Sequence, residues 1–261
     1  MQTEQTERKA RELKCELYND HFQNYKRYHI PKAQLIIADI PYNLGNNAFA
    51  SSPSWYIDGD NKNGESRNAG QSFFDTDKDF KVPEFLHFCS TMLKKETKEI
   101  NTSPCMIVFC EFEQQFFLIN EAKKYGLNRY INLVFRKNYS AQVLKANMRI
   151  VGNCEYAVLL YRDRLPKFRN EGRMVFNCID YPRCAQVEKI HPTQKSIKLL
   201  QYLIRIFTDP GDVVIDPVAG SGTTLLAAAQ MKRSAFGFEI KKNFYKDAKE
   251  KMLSNIQEML F

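Results

Sequence analysis

The sequence has few of the residues that build zinc sites or disulfide frameworks. It contains 4 histidines and 7 cysteines in 261 residues, and no two cysteines have the spacing Cys-x-x-Cys. A structural zinc site needs paired ligands at short spacing, so no metal is expected. Several cysteines lie in apolar runs such as Cys105-Met-Ile-Val-Phe-Cys110. We therefore predict buried, reduced thiols.

Long apolar runs are also missing. No run approaches the roughly 18 residues that a membrane-spanning helix needs. The first residues, Met1-Gln-Thr-Glu-Gln-Thr-Glu-Arg8, are polar and include acids, whereas a signal peptide has a basic start followed by an apolar stretch. The sequence therefore predicts a cytoplasmic protein with no membrane partner.

The charge is unbalanced towards the basic side. Lysine and arginine number 38 against 30 aspartates and glutamates, which gives a formal net charge of +8. Such an excess suits a polyanionic partner such as a nucleic acid, although a basic surface without a specific partner remains the alternative. Hydrophobic residues make up 44%, enough for the core of one α/β domain over residues 1–261.

Apolar runs alternate with stretches of helical spacing along the chain. Strands are predicted at 16–20, 34–39, 105–110, 130–135, 155–161 and 212–216, with a last strand ending at Glu239. Helices are predicted at 80–98, 113–124, 191–207, 225–230 and 243–260. This alternation predicts an α/β fold with a mostly parallel, doubly wound sheet.

A glycine-rich turn, Asp216-Pro-Val-Ala-Gly-Ser-Gly-Thr-Thr224, lies between a predicted strand and a predicted helix. Gly220 and Gly222 have no Cβ, so a ligand could approach the backbone closely. About 20 residues further on, an apolar strand ends in Glu239, the spacing at which a carboxylate reaches ribose hydroxyls in nucleotide-binding αβ units. The pair predicts a ligand with a nucleoside. Thr223-Thr224 lacks the preceding lysine of a phosphate-binding P-loop.

A second candidate site follows the predicted strand 34–39. Asp39-Ile-Pro-Tyr42 stands at its carboxyl end, where open α/β sheets bind their ligands. A carboxylate and an outward-facing backbone carbonyl could both accept hydrogen bonds from one amino group and so aim its lone pair at an electrophile. A tyrosine offers a flat face for a base. Taken alone, the tetrapeptide is also compatible with a simple turn.

Four segments occur in a distinctive order: Asp39–Tyr42, His191-Pro-Thr-Gln-Lys195, Asp216–Thr224 and Phe236-Gly-Phe-Glu239. In this order the sequence resembles the β class of S-adenosylmethionine-dependent DNA amino-methyltransferases over about residues 16–255. The resemblance implies a circularly permuted, Rossmann-like methyltransferase fold in which the catalytic tetrapeptide precedes the cofactor loop. It also implies a short DNA-recognition insertion.

The resemblance assigns roles to individual residues. Asp39 and the carbonyl of Ile40 would accept hydrogen bonds from the target amino group, Pro41 would fix the backbone, and Tyr42 would stack on the flipped base. The residues matched to S-adenosylmethionine binding are Asp20 at the adenine, Thr193, Gln194 and Lys195 beside the carboxylate, Asp216, Pro217, Gly220, Gly222 and Thr223 at the methionine end, and Glu239 at the ribose.

The chain departs from the family pattern at three positions. Ile40 replaces a proline, which we expect to leave the loop less rigid; Val218 replaces a phenylalanine, and Ser196 a proline. None of these changes removes a polar catalytic group. In the family, an initial aspartate is mostly found in adenine enzymes and an initial serine in cytosine-amino enzymes, so Asp39 favours N6-methylation of adenine in double-stranded DNA, with base flipping.

Two irregular stretches are candidates for DNA contact. Residues 43–79 are rich in Asn, Gly and Ser and are expected to form a mobile DNA-facing loop, with a plain surface loop as the alternative. Residues 162–190 mix basic and aromatic side chains and match the short target-recognition region by position; a solvated connector is the alternative. The resemblance implies a bacterial or phage-encoded protein and leaves open a homodimer and a cognate restriction nuclease as partners.

Two other functions are compatible with the sequence. The same chemistry could act on the amino group of cytosine, on single-stranded DNA or on RNA. A DNA-binding module that has kept the fold and lost turnover is the third hypothesis, for which the Ile40 departure is the only motivation.

Overall fold

The structure, a computed structural model, describes residues 13–41, 80–138, 142–145, 150–180, 194–254 and 256. Its centre is an eight-stranded sheet in the order β1-β10-β9-β2-β3-β7-β4-β8. The strands are β1 (Cys15–Tyr18), β2 (Leu35–Asp39), β3 (Cys105–Phe109), β4 (Arg129–Arg136), β7 (Cys154–Tyr161), β8 (Cys178–Asp180), β9 (Val213–Asp216) and β10 (Ser234–Phe238). A separate two-stranded ribbon pairs β5 (Gln142–Lys145) with β6 (Ile150–Gly152).

Most neighbouring strands are parallel, as the sequence predicts. β1, β10, β9, β2 and β3 run in one direction, while β7 is antiparallel to both β3 and β4, and β8 is parallel to β4. The sequence pattern did not indicate the reversed direction of β7. That reversal has a consequence for the site, because it brings the first residues of β7 to the edge where the parallel strands end.

Helices cover both faces of the sheet. The helices are α1 (Val82–Met92), α2 (Phe112–Ala122), α3 (Ile197–Phe207), α4 (Thr223–Gln230) and α5 (Lys242–Asp247), with a 3₁₀ segment at Phe22–Tyr28. Side chains of α3 and α4 pack on one face with Leu35, Ile37 and Ile107. Side chains of α1 and α2 pack on the other with Ile36, Met106 and Val108. Successive side chains of these strands point alternately into the two cores. Because both faces are buried, the strands are apolar throughout.

Three predicted helices are longer than the observed ones. α1 ends at Met92 because Leu93 is extended and lies beside a bridge to Ala33. α3 begins at Ile197, after an extended Ser196, so the start predicted at residue 191 is wrong for residues 194–196. α5 gives way to a π-helical turn at Ala248–Met252, and residues 255 and 257–260 of that prediction lie outside the described residues.

Polar contacts fix residues 162–169 at the amino-terminal edge of the parallel strands. Lys167 Nζ lies 2.6 Å from Asp212 Oδ2 and 2.8 Å from Asp209 Oδ2, and Arg169 donates two hydrogen bonds to Asp209. Arg162 donates to the carbonyls of Lys94 and Ser90. These basic side chains, which the sequence suggests for nucleic acid contact, hold the loop to the body of the protein.

In the described part of the chain, no helix is long and apolar enough to cross a bilayer.

Candidate functional site

The carboxyl ends of β2 and β9 lie side by side at the point where the chain changes direction across the sheet. From β2 the chain continues through α1 to β3 on one side, and from β9 through α4 to β10 on the other. Leu35 pairs with Val214 and Ile36 with Ile215. Asp39 and Asp216, the last residues of these strands, are therefore neighbours at a topological switch point, where ligands bind in open α/β sheets.

Asp39 is joined to a line of alternating charges along this edge. Its Oδ2 lies 2.7 Å from the Nζ of Lys195, which is 5.0 Å from the centroid of the Phe109 ring. The same ammonium is 3.6 Å from Glu155 Oε2, and Lys137 Nζ donates to Glu155 Oε1. Four charged side chains, from β2, β4–β5, β7 and the start of α3, thus meet beside the catalytic candidate.

The tetrapeptide is restrained by two hydrogen bonds. The Ile40 N–H donates to the carbonyl of Phe109 at 3.2 Å, a bond that proline could not make, and the Ile40 side chain is buried in the core. Gln114, at the start of α2, donates from Nε2 to the Pro41 carbonyl at 3.0 Å. These contacts oppose the loosening that the Ile40 departure suggests.

The glycine-rich turn adopts the backbone that its sequence requires. Gly220 and Gly222 have positive φ angles of 50° and 74°, a region that glycine enters without steric cost, and Gly222 is the residue before α4. Gly237 in β10 lets this turn pack closely on the sheet, since a Cβ there would lie 3.1 Å from the Ala219 Cβ and 3.2 Å from the Asp216 carbonyl oxygen. The turn is thus held against β10, the strand that ends next to Glu239.

Asp216 is buried beneath the turn. Its Oδ1 accepts a hydrogen bond from the Val218 N–H at 3.1 Å. Burial raises the pKa of Asp216 to about 7, although hydrogen bonds from the Thr224 side chain and the Val218 N–H act in the opposite direction. The negative charges of Asp39 and Glu239 add to the increase. The turn is therefore built around a carboxyl group that is partly protonated near neutral pH.

Glu239 faces the turn from the end of β10. Its Oε2 accepts from the Gly220 N–H at 2.9 Å and its Oε1 from the Lys241 N–H at 2.7 Å. A carboxylate has about four lone-pair sites, so two remain for hydroxyl donors. Burial raises the pKa of Glu239, partly offset by these backbone hydrogen bonds.

Asp20 has a set of partners within its own segment. His21 N–H and Asn24 Nδ2 donate to Oδ1, and the Tyr28 hydroxyl donates to Oδ2, each at 2.7 Å. The adjacent Asn19 side chain donates to the Glu239 carbonyl at 2.8 Å. Asp20 is therefore near the Glu239 end of the site, where it orders the 3₁₀ segment; its contact with an adenine stays a prediction.

The remaining predicted site residues lie at the glycine-rich turn, just before α3, or outside the described part of the chain. Pro217 and Thr223 belong to the turn, and Thr223 Oγ1 contacts Ser221 Oγ at 2.5 Å. Gln194 lies just before Lys195 in an extended segment that precedes α3. Tyr42 and Thr193 lie outside the described residues. Within the residues that the structure describes, no group of histidine, cysteine and acidic side chains could hold a metal ion.

Three functional candidates were missed by sequence reasoning: Lys137, Glu155 and Gln114. Glu155 is the second residue of β7 and Lys137 directly follows β4, and a charged residue at the end of an apolar strand is a usable signal of a site. It could not be used without knowing that β7 is reversed. Gln114 was detectable as part of a capping box with Glu111, but its bond to Pro41 depends on tertiary packing.

Comparisons with known proteins show which family the chain matches. A protein-family model described as DNA methylase matches residues 33–250, which include all four motifs. The DNA adenine methyltransferase YhdJ of Escherichia coli (strain K12) is 27% identical over 256 residues, covering 90% of this chain and 81% of that protein.

Solved structures share the fold. The crystal structure of an M1.HpyAVI–SAM complex has a TM-score of 0.63 at 21% identity, with 91% of this chain and 98% of that chain covered. The cytosine-N4-specific PvuII DNA methyltransferase has a TM-score of 0.65 at 15% identity, with 94% and 90% covered. At these identities the likeness concerns the fold alone.

Proposed function

The chain belongs to the DNA methylase family, and we propose that it transfers a methyl group from S-adenosylmethionine to the N6 amino group of adenine in DNA. The family assignment makes it an S-adenosylmethionine-dependent DNA amino-methyltransferase. The adenine target is the proposal. One observation carries the proposed methyl transfer: Asp39, the first residue of the Asp-Ile-Pro-Tyr segment, ends β2 directly beside β9 and the turn that follows Asp216.

Asp39 and the backbone of Ile40 would position the target amino group. The Asp39 carboxylate and the Ile40 carbonyl accept one hydrogen bond each, so that the nitrogen lone pair points away from both acceptors. S-adenosylmethionine supplies a methyl group on a positively charged sulfur. With the cofactor bound, the amino nitrogen would form the new N–C bond as the S–C bond breaks with its electron pair left on sulfur, and the methylated amino group would release its extra proton to water. The protein contributes orientation rather than covalent chemistry.

The residues of the turn fit this cofactor. Glu239 keeps lone-pair capacity for two ribose hydroxyls beside its bonds to Gly220 and Lys241. Gly220 and Gly222 have positive φ angles that shape the turn, and we propose that the backbone of this turn lies against the methionine arm. In the structure Lys195 contacts Asp39; a contact of Lys195 or Thr193 with the cofactor carboxylate remains part of the proposal.

DNA binding involves the basic surface and the flipped base. An amino group in a base pair is already hydrogen-bonded, so the target must leave the duplex, and Tyr42 would stack on it. Residues 43–79 and 162–190 are the proposed DNA-facing segments. The anchoring of residues 162–169 at the opposite edge favours the later part of the second segment, where β8 runs towards the catalytic edge beside β4.

Cytosine-N4 methylation is the second candidate. It is favoured by the likeness in fold to the cytosine-N4-specific PvuII enzyme, and it would use the same two acceptors. The first residue of the tetrapeptide, Asp39, and the similarity to an adenine methyltransferase along 90% of the chain favour adenine. A homodimer and a cognate restriction nuclease stay as further expectations of the resemblance.

The product base can be measured directly. We would incubate the purified protein with methyl-labelled S-adenosylmethionine and unmodified genomic DNA, digest the DNA to nucleosides and identify the labelled base. Label in N6-methyladenine is expected. Asp39→Ala should lose at least about a hundredfold in rate while it binds S-adenosylmethionine as the wild type does. Asp163→Asn, an exposed change at the opposite edge of the sheet, is the matched control and should keep its activity.

Three results would contradict parts of this proposal. Label in N4-methylcytosine would show that the target base is cytosine and not adenine. Full activity of Asp39→Ala would show that Asp39 does not position the target amino group. Failure of the wild-type protein to bind S-adenosylmethionine would support a DNA-binding module without turnover.

A further inference from the structure

One oxygen of Glu155 is buried without a hydrogen bond. Oε1 accepts from Lys137, but Oε2 has no donor within hydrogen-bonding distance among the described residues. The ammonium of Lys195 is 3.6 Å from Oε2 and lies instead on Asp39 Oδ2 at 2.7 Å. Lys195 thus stands between two carboxylates and has a full hydrogen bond to only one of them.

The second carboxylate is a strong alternative partner. Burial raises the pKa of Glu155, but the positive charges of Lys195 and Lys137 outweigh burial and hold that pKa below its usual range. Glu155 is therefore ionised at neutral pH. A buried charged acceptor without a donor is costly, so a donor that reaches Oε2 would gain a charge-assisted bond.

We propose that Lys195 moves its ammonium group from Asp39 to Glu155 when the target amino group enters the site, and that Glu155 is the positioning residue that makes this move possible. The inference rests on the proposed role of Asp39. In the free protein, Lys195 occupies an acceptor position of Asp39 and compensates its charge. The target amino group needs that carboxylate, and Glu155 Oε2 receives the ammonium that it displaces.

The movement required is small. Charge-assisted N–H···O bonds are about 2.7–2.9 Å long, so the ammonium must approach Oε2 by less than about 1 Å. The lysine side chain has four flexible methylene groups, and the Lys195 ammonium lies 5.0 Å from the centroid of the Phe109 ring. The backbone need not shift, and Lys137 keeps Glu155 in place throughout.

In the competing interpretation, Glu155 serves only to hold β4, β7 and the start of α3 together. In that case Glu155 stabilises the fold, and its loss lowers activity only as far as it lowers the folded population. The position of the Lys195 ammonium before and after DNA binding separates the two interpretations.

Glu155→Gln is the decisive variant, because glutamine keeps the shape and one acceptor but removes the charge that would attract Lys195. Single-turnover methyl transfer to unmodified genomic DNA should slow by about tenfold or more. The affinity for S-adenosylmethionine should stay within about twofold. Glu121→Gln is the matched control: it removes a partner of Lys124 at the far end of α2 and should leave the rate unchanged.

The ammonium itself can be followed by ¹H–¹⁵N NMR, with the Lys195 signal assigned by its loss in Lys195→Arg. It should shift when S-adenosylhomocysteine and DNA bind to the wild type, and keep its free-protein position in Glu155→Gln. An unchanged wild-type signal in the complex, or a wild-type transfer rate in Glu155→Gln, would overturn the inference. Failure of the proposed function looks different, since the wild-type protein would then place no label in adenine.

Discussion

At the scale of single residues, Asp216 shows how a functional turn is built at a cost in stability. Its carboxyl group is buried, and burial raises its pKa to about 7. Its folded-state pKa therefore lies above the value of 3.8 for an unperturbed aspartate. Between these two values the folded chain binds more protons than the unfolded chain, so this residue's contribution to stability decreases as the pH rises.

The variant Asp216→Asn isolates this contribution. Asparagine is neutral at every pH. The free energy of unfolding of Asp216→Asn minus that of the wild type should therefore grow by about 1.4 kcal/mol per pH unit between pH 4 and pH 7. The difference should level off above pH 7, where the aspartate is ionised in both states. Urea unfolding of both proteins at several pH values, without cofactor, measures it. A difference that is the same at pH 5 and pH 8 would contradict the raised pKa.

Individual site residues differed in how far the sequence could predict them. Asp39, Asp216 and Glu239 follow apolar strands, and the structure places all three at one edge of the sheet. Glu155 lies at the start of β7 and Lys137 directly follows the end of β4, but strand periodicity does not reveal strand direction. A residue at the start of an antiparallel strand lies at the same edge as a residue at the end of a parallel one, and only the structure brings the two sets together.

At the scale of elements, Gln114 connects the start of α2 to the segment that follows β2. Gln114 Oε1 accepts from the Glu111 N–H, which completes a capping box at the start of α2, while Nε2 donates to the Pro41 carbonyl. One side chain therefore both begins the helix and fixes the segment after β2. The helix was predicted from its apolar spacing to within about two residues, whereas the contact between the two elements was not.

Gln114→Glu separates these two tasks, because glutamate can still accept from Glu111 N–H but cannot donate to Pro41. Methyl transfer should slow by about fivefold, the value of one hydrogen bond of about 1 kcal/mol, and the melting temperature should change little. Glu113→Gln, an exposed change in the same helical turn, serves as the control. Equal activity of Gln114→Glu and the wild type would show that the tetrapeptide keeps its position without this bond.

At the scale of the whole molecule, the two edges of the sheet have different roles. The carboxyl-terminal edge carries Asp39 and Lys195. It also carries Asp216, Glu239 and Glu155, whose carboxyl pKa values are shifted from their usual ranges. The amino-terminal edge carries ion pairs that fasten residues 162–169 to the loop before β9. Composition and alternation predicted a doubly wound sheet, but not which basic side chains face a partner and which stabilise the fold, because both have the same sequence signature.

Asp212→Asn tests this division. Asp212 accepts from Lys167, Lys94 and the Asp209 N–H; burial raises its pKa, but these partners outweigh burial and hold the pKa below its usual range. The variant should lower the free energy of unfolding by about 2 kcal/mol at neutral pH. That loss should shrink as the pH falls through the lowered pKa, where the wild-type carboxylate also loses its charge.

The rate of methyl transfer by Asp212→Asn should equal that of the wild type below the melting temperature, because the change lies at the edge opposite Asp39. Asp247→Asn removes an exposed partner of Lys251 on the surface, where ion pairs contribute little, and should alter neither stability nor rate. Urea unfolding from pH 8 down to about pH 2, below the lowered pKa of Asp212, and single-turnover kinetics at neutral pH measure the two quantities separately. A slower transfer by folded Asp212→Asn would mean that the two edges are coupled, since the anchored loop would then affect the position of β9 and the turn that follows it.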